Sequence, residues 1–517
     1  MGGSNNGSIY SDTVAIILAA GKNKRMKSKM PKAMHKIGGT PMLGLVLDAV
    51  RRAGVGRCVV VVGFGAEHIM EYLGDSVEYA YQREQLGTGH ALLTGLEYLI
   101  NPELYVVSGA GAGARTASDS HEAQRAASPE ASSPSAVRSP SVAPVSPRTP
   151  AGGRVLALYG DMPFISPETL SSLITRNREN KEQGTLVYAD MREPYGFGRI
   201  IRDEGGNFQK IIEQKDATAE EAKLGEVNVG IYCFEQETAR LALGRLKTDN
   251  IQGEMYLTDV FAEIIRAGGR VGLHEIGDNR ECLGANDRVA LAELDKVLRA
   301  EKCAELMLES GVTIVDPNAT YIDSGVEVGM DTIIYPGCVL EGSTVIGEGC
   351  EIGPYAKIRD SKIGDQSKVV YSVIADSTVG DSVSIGPFAQ LRPGASVGAK
   401  TKIGDFVEIK NSSIGERVSI SHLAYVGDAD VGAHVNIGCG VITCNYDGKN
   451  KFRTKIGENA FVGSNVNLIA PVTVNKNAYV ASGSTITDDV PEDALAIARE
   501  RQVVKERWVS RKGLRRD

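Results

Sequence analysis

Between Gly311 and about Val490 an aliphatic residue returns at every sixth position. One run is Val379, Ile385, Leu391, Val397, Ile403 and Ile409; another is Ile456, Val462, Leu468, Val474, Val480 and Ile486; a third is Ile346, Ile352 and Ile358. The next residue is often glycine, as after Ile346, Ile385 and Ile403. A six-residue period belongs to a parallel β-helix: each short strand turns a corner, the aliphatic side chain points inward, and a small residue fits the turn. Three strands close a triangular coil of about 18 residues. The step from Ile409 to Ile414 is five residues, a local slip, and the period fails over Asn445–Lys455, so a loop leaves the coil there.

Upstream the pattern differs. From Thr13 to about Ala285, apolar runs at Val14–Ala19, Cys58–Val62, Val155–Tyr159 and Thr185–Tyr188 alternate with helical patterns. That rhythm predicts a largely parallel sheet with helices on its faces. Ser108–Gly153 interrupts it: of 46 residues, 32 are Ala, Ser, Pro or Gly. Such a stretch cannot bury enough apolar surface to offset its ordering entropy, and is expected to be a disordered insert. Asn286–Ser310 reads as a linker helix with a stripe of Val289, Leu294, Val297, Leu298, Ala304 and Met307 or Leu308, stopped by Gly311. The predicted organisation is a flexible start (1–12), an α/β domain (13–285), the linker helix (286–310), the β-helix (311–490) and a basic tail (491–517) around Trp508.

Composition narrows the function classes. Glycine is abundant at 59 of 517 residues and aromatics are 6%, which suits repeated tight turns around thin cores. The net charge of −8 argues against a chain-wide nucleic-acid or anionic-membrane surface. No apolar run is long enough to span a membrane, and the first residues lack the basic start and apolar stretch of a secretory signal. The eight cysteines form no C-x-x-C pair or zinc spacing, so a reducing, cytoplasmic setting is expected.

Against that acidic background, Thr13–Leu47 contains no acid, while Lys22, Lys24, Arg25, Lys27, Lys29, Lys32 and Lys36 are basic. A nucleoside triphosphate carries about four negative charges, and a cationic strand-to-loop turn with backbone N–H groups is what gathers it. No Walker P-loop occurs. Read alone, this segment is equally a solvated basic loop.

The motif Leu18-Ala19-Ala20-Gly21-Lys22-Asn23-Lys24-Arg25-Met26, followed by Pro31-Lys32, looks like the signature of sugar-nucleotide pyrophosphorylases. Further motifs agree in order: Gln85 to His90, Tyr159-Gly160-Asp161, Gly196 to Ile200, Ile212 to Ala217 and Glu226 to Gly230. Joined to hexapeptide repeats, the chain resembles the family of bacterial bifunctional N-acetylglucosamine-1-phosphate uridyltransferases/glucosamine-1-phosphate acetyltransferases. The resemblance covers about Thr13 to Trp508, leaving the insert aside. It implies a Rossmann-like α/β nucleotidyltransferase domain with a mostly parallel sheet, then a left-handed parallel β-helix of hexapeptide repeats. It implies UTP and acetyl-CoA as co-substrates, Mg²⁺, and a homotrimer with acetyl sites shared across subunits.

Carried over position by position, the resemblance gives Arg25 and Lys32 the triphosphate and the reacting phosphorus. Leu18, Ala19, Gly21, Gln82, Gly87 and Thr88 would hold the nucleotide, with the last three reading uracil. Gly198, Glu213 and Asn228 would hold the N-acetylglucosamine phosphate, and Asp161 and Asn286 the Mg²⁺. Asp161 follows the end of a strand, where open α/β sheets bind ligands, though taken alone it reads more readily as a helix N-cap. His90 reads as structural.

In the β-helix, acetyl transfer to an amine needs a base, and histidine is the usual one near neutral pH. Only His422 and His434 are available there, and the resemblance selects His422, with Glu408 orienting its ring. Arg392, Lys410 and Lys451 would bind the sugar phosphate with Tyr425, Asn436, Asn445 and Tyr446. Ser464, Ser482 and Arg499 would contact acetyl-CoA. Two alternatives stand beside this reading: a uridyltransferase with an impaired acetyl end, and a non-enzymatic regulatory subunit of the same architecture.

Overall fold

A computed structural model describes residues 9–22, 25–105, 153–248 and 253–514. Asn23, Lys24 and the expected insert up to residue 152 lie outside the described residues. The chain divides into two units, one of residues 1–36 and 41–294, the other of 37–40 and 295–517.

In the first unit a sheet runs in the order Val271–Glu275, Gly184–Asp190, Glu226–Glu235, Arg154–Tyr159, Thr13–Leu18, Arg57–Val62, Glu78–Tyr81. The four strands anticipated from the apolar runs are all present within a residue or two of their expected ends. Alternation along each strand feeds two cores. Ala15, Ile17, Val60, Leu156 and Leu158 pack with Leu43, Val46, Leu170 and Leu173 on one face. Ile16, Val59, Val61, Val155 and Ala157 pack with Leu92, Leu96, Leu243 and Phe261 on the other. A sheet buried on both faces explains why its strands read as continuous apolar runs.

The sheet is mixed rather than simply parallel. Glu226–Glu235 runs antiparallel to both neighbours and carries a hairpin, Gly198–Arg202 with Phe208–Ile212. Its pairing with Gly184–Asp190 is broken by a bulge between Asn228 and Tyr232, where Gly230 has φ +92. A β-carbon at Gly230 would stand 2.7 Å from the Tyr159 ring. The absence of a side chain at Gly230 therefore leaves room for the Tyr159 ring beside the bulge.

The linker helix spans Arg288–Leu308. Its buried residues are Leu294, Cys303 and Leu306, whereas Val289 and Leu308 are exposed. The expected stripe was phased wrongly at both ends.

The second unit is a left-handed β-helix of hexapeptide repeats: three parallel sheets of 11, 10 and 9 strands share one chain, each strand pairing with the third after it until the last coil, where Tyr479–Val480 pairs with Leu495–Ala496. The aliphatic residues stack by rung, Ile334, Ile352, Val369, Ile385, Ile403, Ile420 and Ile437 along one sheet, all buried. The loop expected over Asn445–Lys455 is present but shorter, the coil resuming at Thr454: Tyr446 and Lys451 bridge antiparallel, and Asp447 caps the turn through the N–H groups of Lys449 (2.8 Å) and Asn450 (2.6 Å). The few aromatics are outside the core. Tyr355, Tyr371, Phe388 and Phe406 form a ladder at successive corners, with ring centroids 5.4, 5.7 and 5.4 Å apart.

Candidate functional site

A cavity of about 600 Å³ opens at the carboxyl ends of the Thr13–Leu18 and Arg154–Tyr159 strands. Leu18, Ala19, Gly21, Arg25, Lys32, Gln82, Gly87, Thr88 and Asp161 all line it, so residues scattered over 140 positions meet at one place. Each is fixed by its element. Leu18 ends a buried strand. Lys32 opens a short 3₁₀ turn after Pro31. Gly87 has φ +114, and a β-carbon there would lie 2.7 Å from the Met255 carbonyl oxygen; only glycine lets the loop turn into the Thr88–Ile100 helix. Thr88 Oγ1 accepts from Leu257 N–H (3.1 Å).

The cations and oxygens of this cavity converge. Lys32 forms an ion pair with Asp161 and donates to Asn286 Oδ1 at 2.8 Å, while Arg25 donates to the same oxygen at 3.0 Å. Asp161 Oδ2 and Asn286 Oδ1 thus both reach one ammonium, which stands where a small cation would. One carboxylate and one amide oxygen make a donor set that suits Mg²⁺, whose remaining positions are filled by phosphates and water.

Gly198, Glu213 and Asn228 form a neighbouring group on the antiparallel part of the sheet. Gly198 pairs with Asn228 in register. Glu213 accepts from Thr258 Oγ1 at 3.0 Å, and Asn228 Nδ2 donates to the Tyr232 hydroxyl at 2.8 Å. Burial, then the nearby carboxylates Asp259 and Asp216, push the Glu213 carboxyl up despite the Thr258 bond. Tyr159 joins the two groups, hydrogen-bonded to Thr88 and Tyr232 and close to Glu213; burial raises its phenol first, Glu213 second. Tyr159, Gln85 and Glu254 also line the cavity; the first two stand in sequence motifs but had no role assigned, and Glu254 was not named. Tyr159 adjoins Asp161 in a quoted motif, which was the available signal; Glu254 carried none. A larger groove of about 910 Å³ in the same unit is lined by Arg176, Arg202 and Arg270 among others and contains none of the motif residues.

In the β-helix the sequence-derived residues fall into two groups. Arg392, Glu408, Lys410, Tyr425, Asn445 and Lys451 lie along one sheet and its loop. Arg392 pairs with Glu408 at 2.7 Å. Asn445 Nδ2 reaches the Tyr425 hydroxyl at 3.4 Å and Asp428 at 2.5 Å. Burial alone would raise the Asp428 carboxyl, but hydrogen bonds from Asn411 and Asn445 and the Lys410 and Lys451 charges hold it below the usual range. Lys410 lies against Lys451 and lowers its ammonium. Two adjacent cations, only partly offset by the nearby Asp428 carboxylate, form a place for an anion. Tyr446 instead donates to the carbonyl of Gly448 within its own loop at 2.6 Å.

His422 occupies a corner of the coil. The carboxylate at its Nδ1 is Asp405 at 2.5 Å, not Glu408. Asp405 is the rung partner of His422, whereas Glu408 is the partner of Tyr425 and is engaged by Arg392. The hydrogen bond with His422 holds the Asp405 carboxyl below its usual range. Ser464 and Ser482 occupy adjoining rungs, the Ser464 N–H donating to Ser482 Oγ at 3.2 Å. Asn436 is on a different sheet, between Ser419 and Phe461, and among the described residues no hydrogen bond or ion pair joins it or Arg499 to the Arg392–Lys451 group.

Comparison with known proteins agrees with this division. Residues 15–217 match the MobA-like NTP transferase domain family. Residues 325–360 and 453–488 match the bacterial transferase hexapeptide family. The chain is 46% identical over 503 residues to the bifunctional protein GlmU of Acetivibrio thermocellus, covering 97% of this chain and 98% of that one. It is 44% identical over 504 residues to bifunctional protein GlmU of a Geobacillus species, covering 97% and 99%. A GlmU of Caldanaerobacter subterraneus is 46% identical over 498 residues, covering 96% and 98%.

Proposed function

Because the chain belongs to the family of bifunctional GlmU proteins, we propose that it catalyses two consecutive steps of UDP-N-acetylglucosamine synthesis. The second unit acetylates glucosamine-1-phosphate from acetyl-CoA. The first transfers uridylyl from UTP to N-acetylglucosamine-1-phosphate and releases pyrophosphate. The observation that carries this reading is that both residue sets occur on one chain, each gathered within its own unit, in a protein matched nearly end to end by bifunctional relatives. That end-to-end match does not favour the uridyltransferase-only or regulatory-subunit alternatives.

In uridylyl transfer a phosphate oxygen of the sugar attacks the α-phosphorus and the bond to pyrophosphate breaks. Arg25 and Lys32 neutralise the charge that builds there, while Gln82, Gly87 and Thr88 hold the base and Gly198, Glu213 and Asn228 the sugar. Asp161 and Asn286 would hold Mg²⁺, which when bound supplies further neutralisation of the triphosphate. Catalysis is mainly positioning and preorganised charge.

In acetyl transfer the amine nitrogen attacks the thioester carbonyl, the C–S bond breaks, and coenzyme A leaves as its thiol. With Nδ1 directed at Asp405, His422 offers Nε2 to take the amine proton and return it to the leaving sulfur. Arg392, Lys410, Lys451, Tyr425, Asn436, Asn445 and Tyr446 would seat the sugar phosphate, and Ser464, Ser482 and Arg499 the coenzyme. The same reading makes the protein a cytoplasmic homotrimer with neither nucleic-acid nor membrane partners. No described helix is long and apolar enough to cross a membrane. Trimerisation would place residues of neighbouring coils in one acetyl site, which accounts for the separation of Asn436 from the Arg392–Lys451 group in a single chain.

Mass spectrometry of products from UTP, acetyl-CoA and glucosamine-1-phosphate with Mg²⁺ tests the proposal. UDP-N-acetylglucosamine and pyrophosphate are expected only when all substrates are present. Acetylated sugar phosphate without nucleotide sugar, or neither product, would overturn it.

A further inference from the structure

Gln82 lines the nucleotide cavity, yet its side chain is almost wholly buried, 4% exposed. Its amide nitrogen faces two fixed atoms: the carbonyl oxygen of Gly87 at 3.4 Å and Nδ1 of His90 at 2.9 Å. A carbonyl oxygen can only accept, so the atom turned toward it is the amide NH₂ and not Oε1. The second N–H then points at His90 Nδ1, which accepts it when the neutral ring carries its proton on Nε2. Both donors of the carboxamide are thereby consumed inside the protein. Oε1 has no hydrogen-bond partner among the described residues, and it is not among the atoms sealed from solvent without one. What Gln82 presents to the cavity is an acceptor.

His90 is held to this task by its own position. It lies in the first turn of the Thr88–Ile100 helix, three residues past Gly87, so one backbone segment carries both acceptors that grip Gln82. The Thr94 hydroxyl donates to the His90 carbonyl oxygen at 2.9 Å and fastens that turn.

We infer that His90 sets the base specificity of the nucleotide site by fixing which end of the Gln82 carboxamide faces the base. The inference rests on the reading of this cavity as the UTP site. Uracil carries a hydrogen at N3 between two carbonyls, whereas cytosine has a bare N3 beside an amino group. An outward acceptor meets the uracil N3–H and leaves the cytosine N3 lone pair opposed. A buried polar group that cannot be paired discriminates strongly between such analogues. His90 touches neither base nor phosphate in this scheme; it is a positioning residue. Without it, the Gly87 carbonyl alone, at 3.4 Å, holds the amide weakly, and the carboxamide can rotate to offer NH₂ to cytosine.

The test compares UTP and CTP as nucleotidyl donors, as the ratio of their kcat/KM values, in the full-length protein with Mg²⁺ and N-acetylglucosamine-1-phosphate. Three variants are used, each checked for an unchanged melting transition: His90→Leu and His90→Lys remove the acceptor, and His90→Gln retains one. The two former should lower the UTP-to-CTP ratio by roughly 10–100-fold, the size of one buried hydrogen-bond mismatch, while His90→Gln keeps most of it. If either acceptor-less variant folds and slows both nucleotides equally, leaving the ratio unchanged, the assignment is wrong. It is equally wrong if His90→Gln loses discrimination as fully as His90→Leu. Failure of the wild type to use UTP at all would instead remove the underlying reading of the cavity.

Discussion

At the scale of single residues, the telling case is the carboxylate behind His422. Three acids precede the histidine within 17 residues, Asp405, Glu408 and Glu416, and resemblance pointed to Glu408. The coil decides otherwise, because its rung offset of 17 residues sets Asp405 opposite His422 and Glu408 opposite Tyr425. A five-residue step in the repeat, visible in the sequence, changes this offset, but which acid it aligns is apparent only once the strands are stacked. Asp405→Ala is expected to lower kcat for acetyl transfer roughly 10–100-fold, part of the 10²–10⁴ that a well-placed general base supplies. KM for glucosamine-1-phosphate and uridylyl transfer should barely change. An equal loss on Glu408→Ala with no loss on Asp405→Ala would reverse the assignment. Glu213 gives a second residue-level prediction. Its carboxyl is raised by burial first and by Asp259 and Asp216 after, so the native state binds its proton more tightly than the unfolded chain does. The ionised form therefore costs stability above the unfolded value of 4.5, and the cost disappears as pH falls below it. Glu213→Gln should melt higher than wild type at pH 7, with the gap closing toward pH 4, while its KM for the sugar phosphate rises about tenfold or more from the lost charged hydrogen bond. Scanning calorimetry at several pH values, paired with steady-state kinetics, reads both effects.

At the scale of elements, the six-residue period was legible because each coil repeats one steric demand. The meaning of the glycines was only half legible. Gly329, Gly347, Gly364, Gly380, Gly398, Gly415, Gly432 and Gly457 occupy one corner of the prism on eight successive coils, each just after an inward aliphatic residue. None of the eight is left-handed; the positive φ angles fall three residues before the aliphatic position, on residues such as Asp376, Phe388, Lys400 and Arg417. Glycine is required there by contact between coils: a β-carbon on Gly398 would come 2.6 Å from the backbone carbon of Gly415, and one on Gly415 2.7 Å from Gly432. No sequence pattern distinguishes a glycine kept for its φ from one kept for lack of space. Gly398→Ala should therefore destabilise the β-helix by about 1–3 kcal/mol, the usual cost of overpacking, seen as a lower denaturant midpoint for the transition followed by Tyr fluorescence. A midpoint unchanged within error would mean the coils separate readily. In the α/β unit four strands announced themselves as apolar runs, but the parallel edge strands Glu78–Tyr81 and Val271–Glu275 and the antiparallel Glu226–Glu235 strand did not. Its bulge at Asn228–Tyr232 interrupts any simple period, and that irregularity is what brings Asn228, Gly230 and Tyr159 together.

At the scale of the whole molecule, the described residues that line the nucleotide cavity belong to the first unit, and the residues proposed for acetyl transfer belong to the second. The former run from Leu18 to Glu254, with Asn286 hydrogen-bonded to Lys32 and Arg25, and the latter from Arg392 to Arg499. Two chemistries with opposite needs can then coexist. One site gathers Arg25 and Lys32 around Asn286, while the other sets the His422 imidazole against the Asp405 carboxylate. Independence has a measurable consequence. His422→Ala should abolish acetyl transfer and leave uridylyl transfer from supplied N-acetylglucosamine-1-phosphate at the wild-type rate. Lys32→Ala should do the reverse, because it removes the ammonium shared by Asp161 and Asn286 without touching the coil. Losses of roughly 10²-fold or more are expected in the affected half, from the base and from a preorganised charge at the reacting phosphorus. Mixing the two variants should restore conversion of glucosamine-1-phosphate to the nucleotide sugar, since the acetylated intermediate can diffuse from one molecule to another. If folded His422→Ala protein also lost uridylyl transfer, the two sites would have to communicate through the chain, and the division into separately working halves would fail.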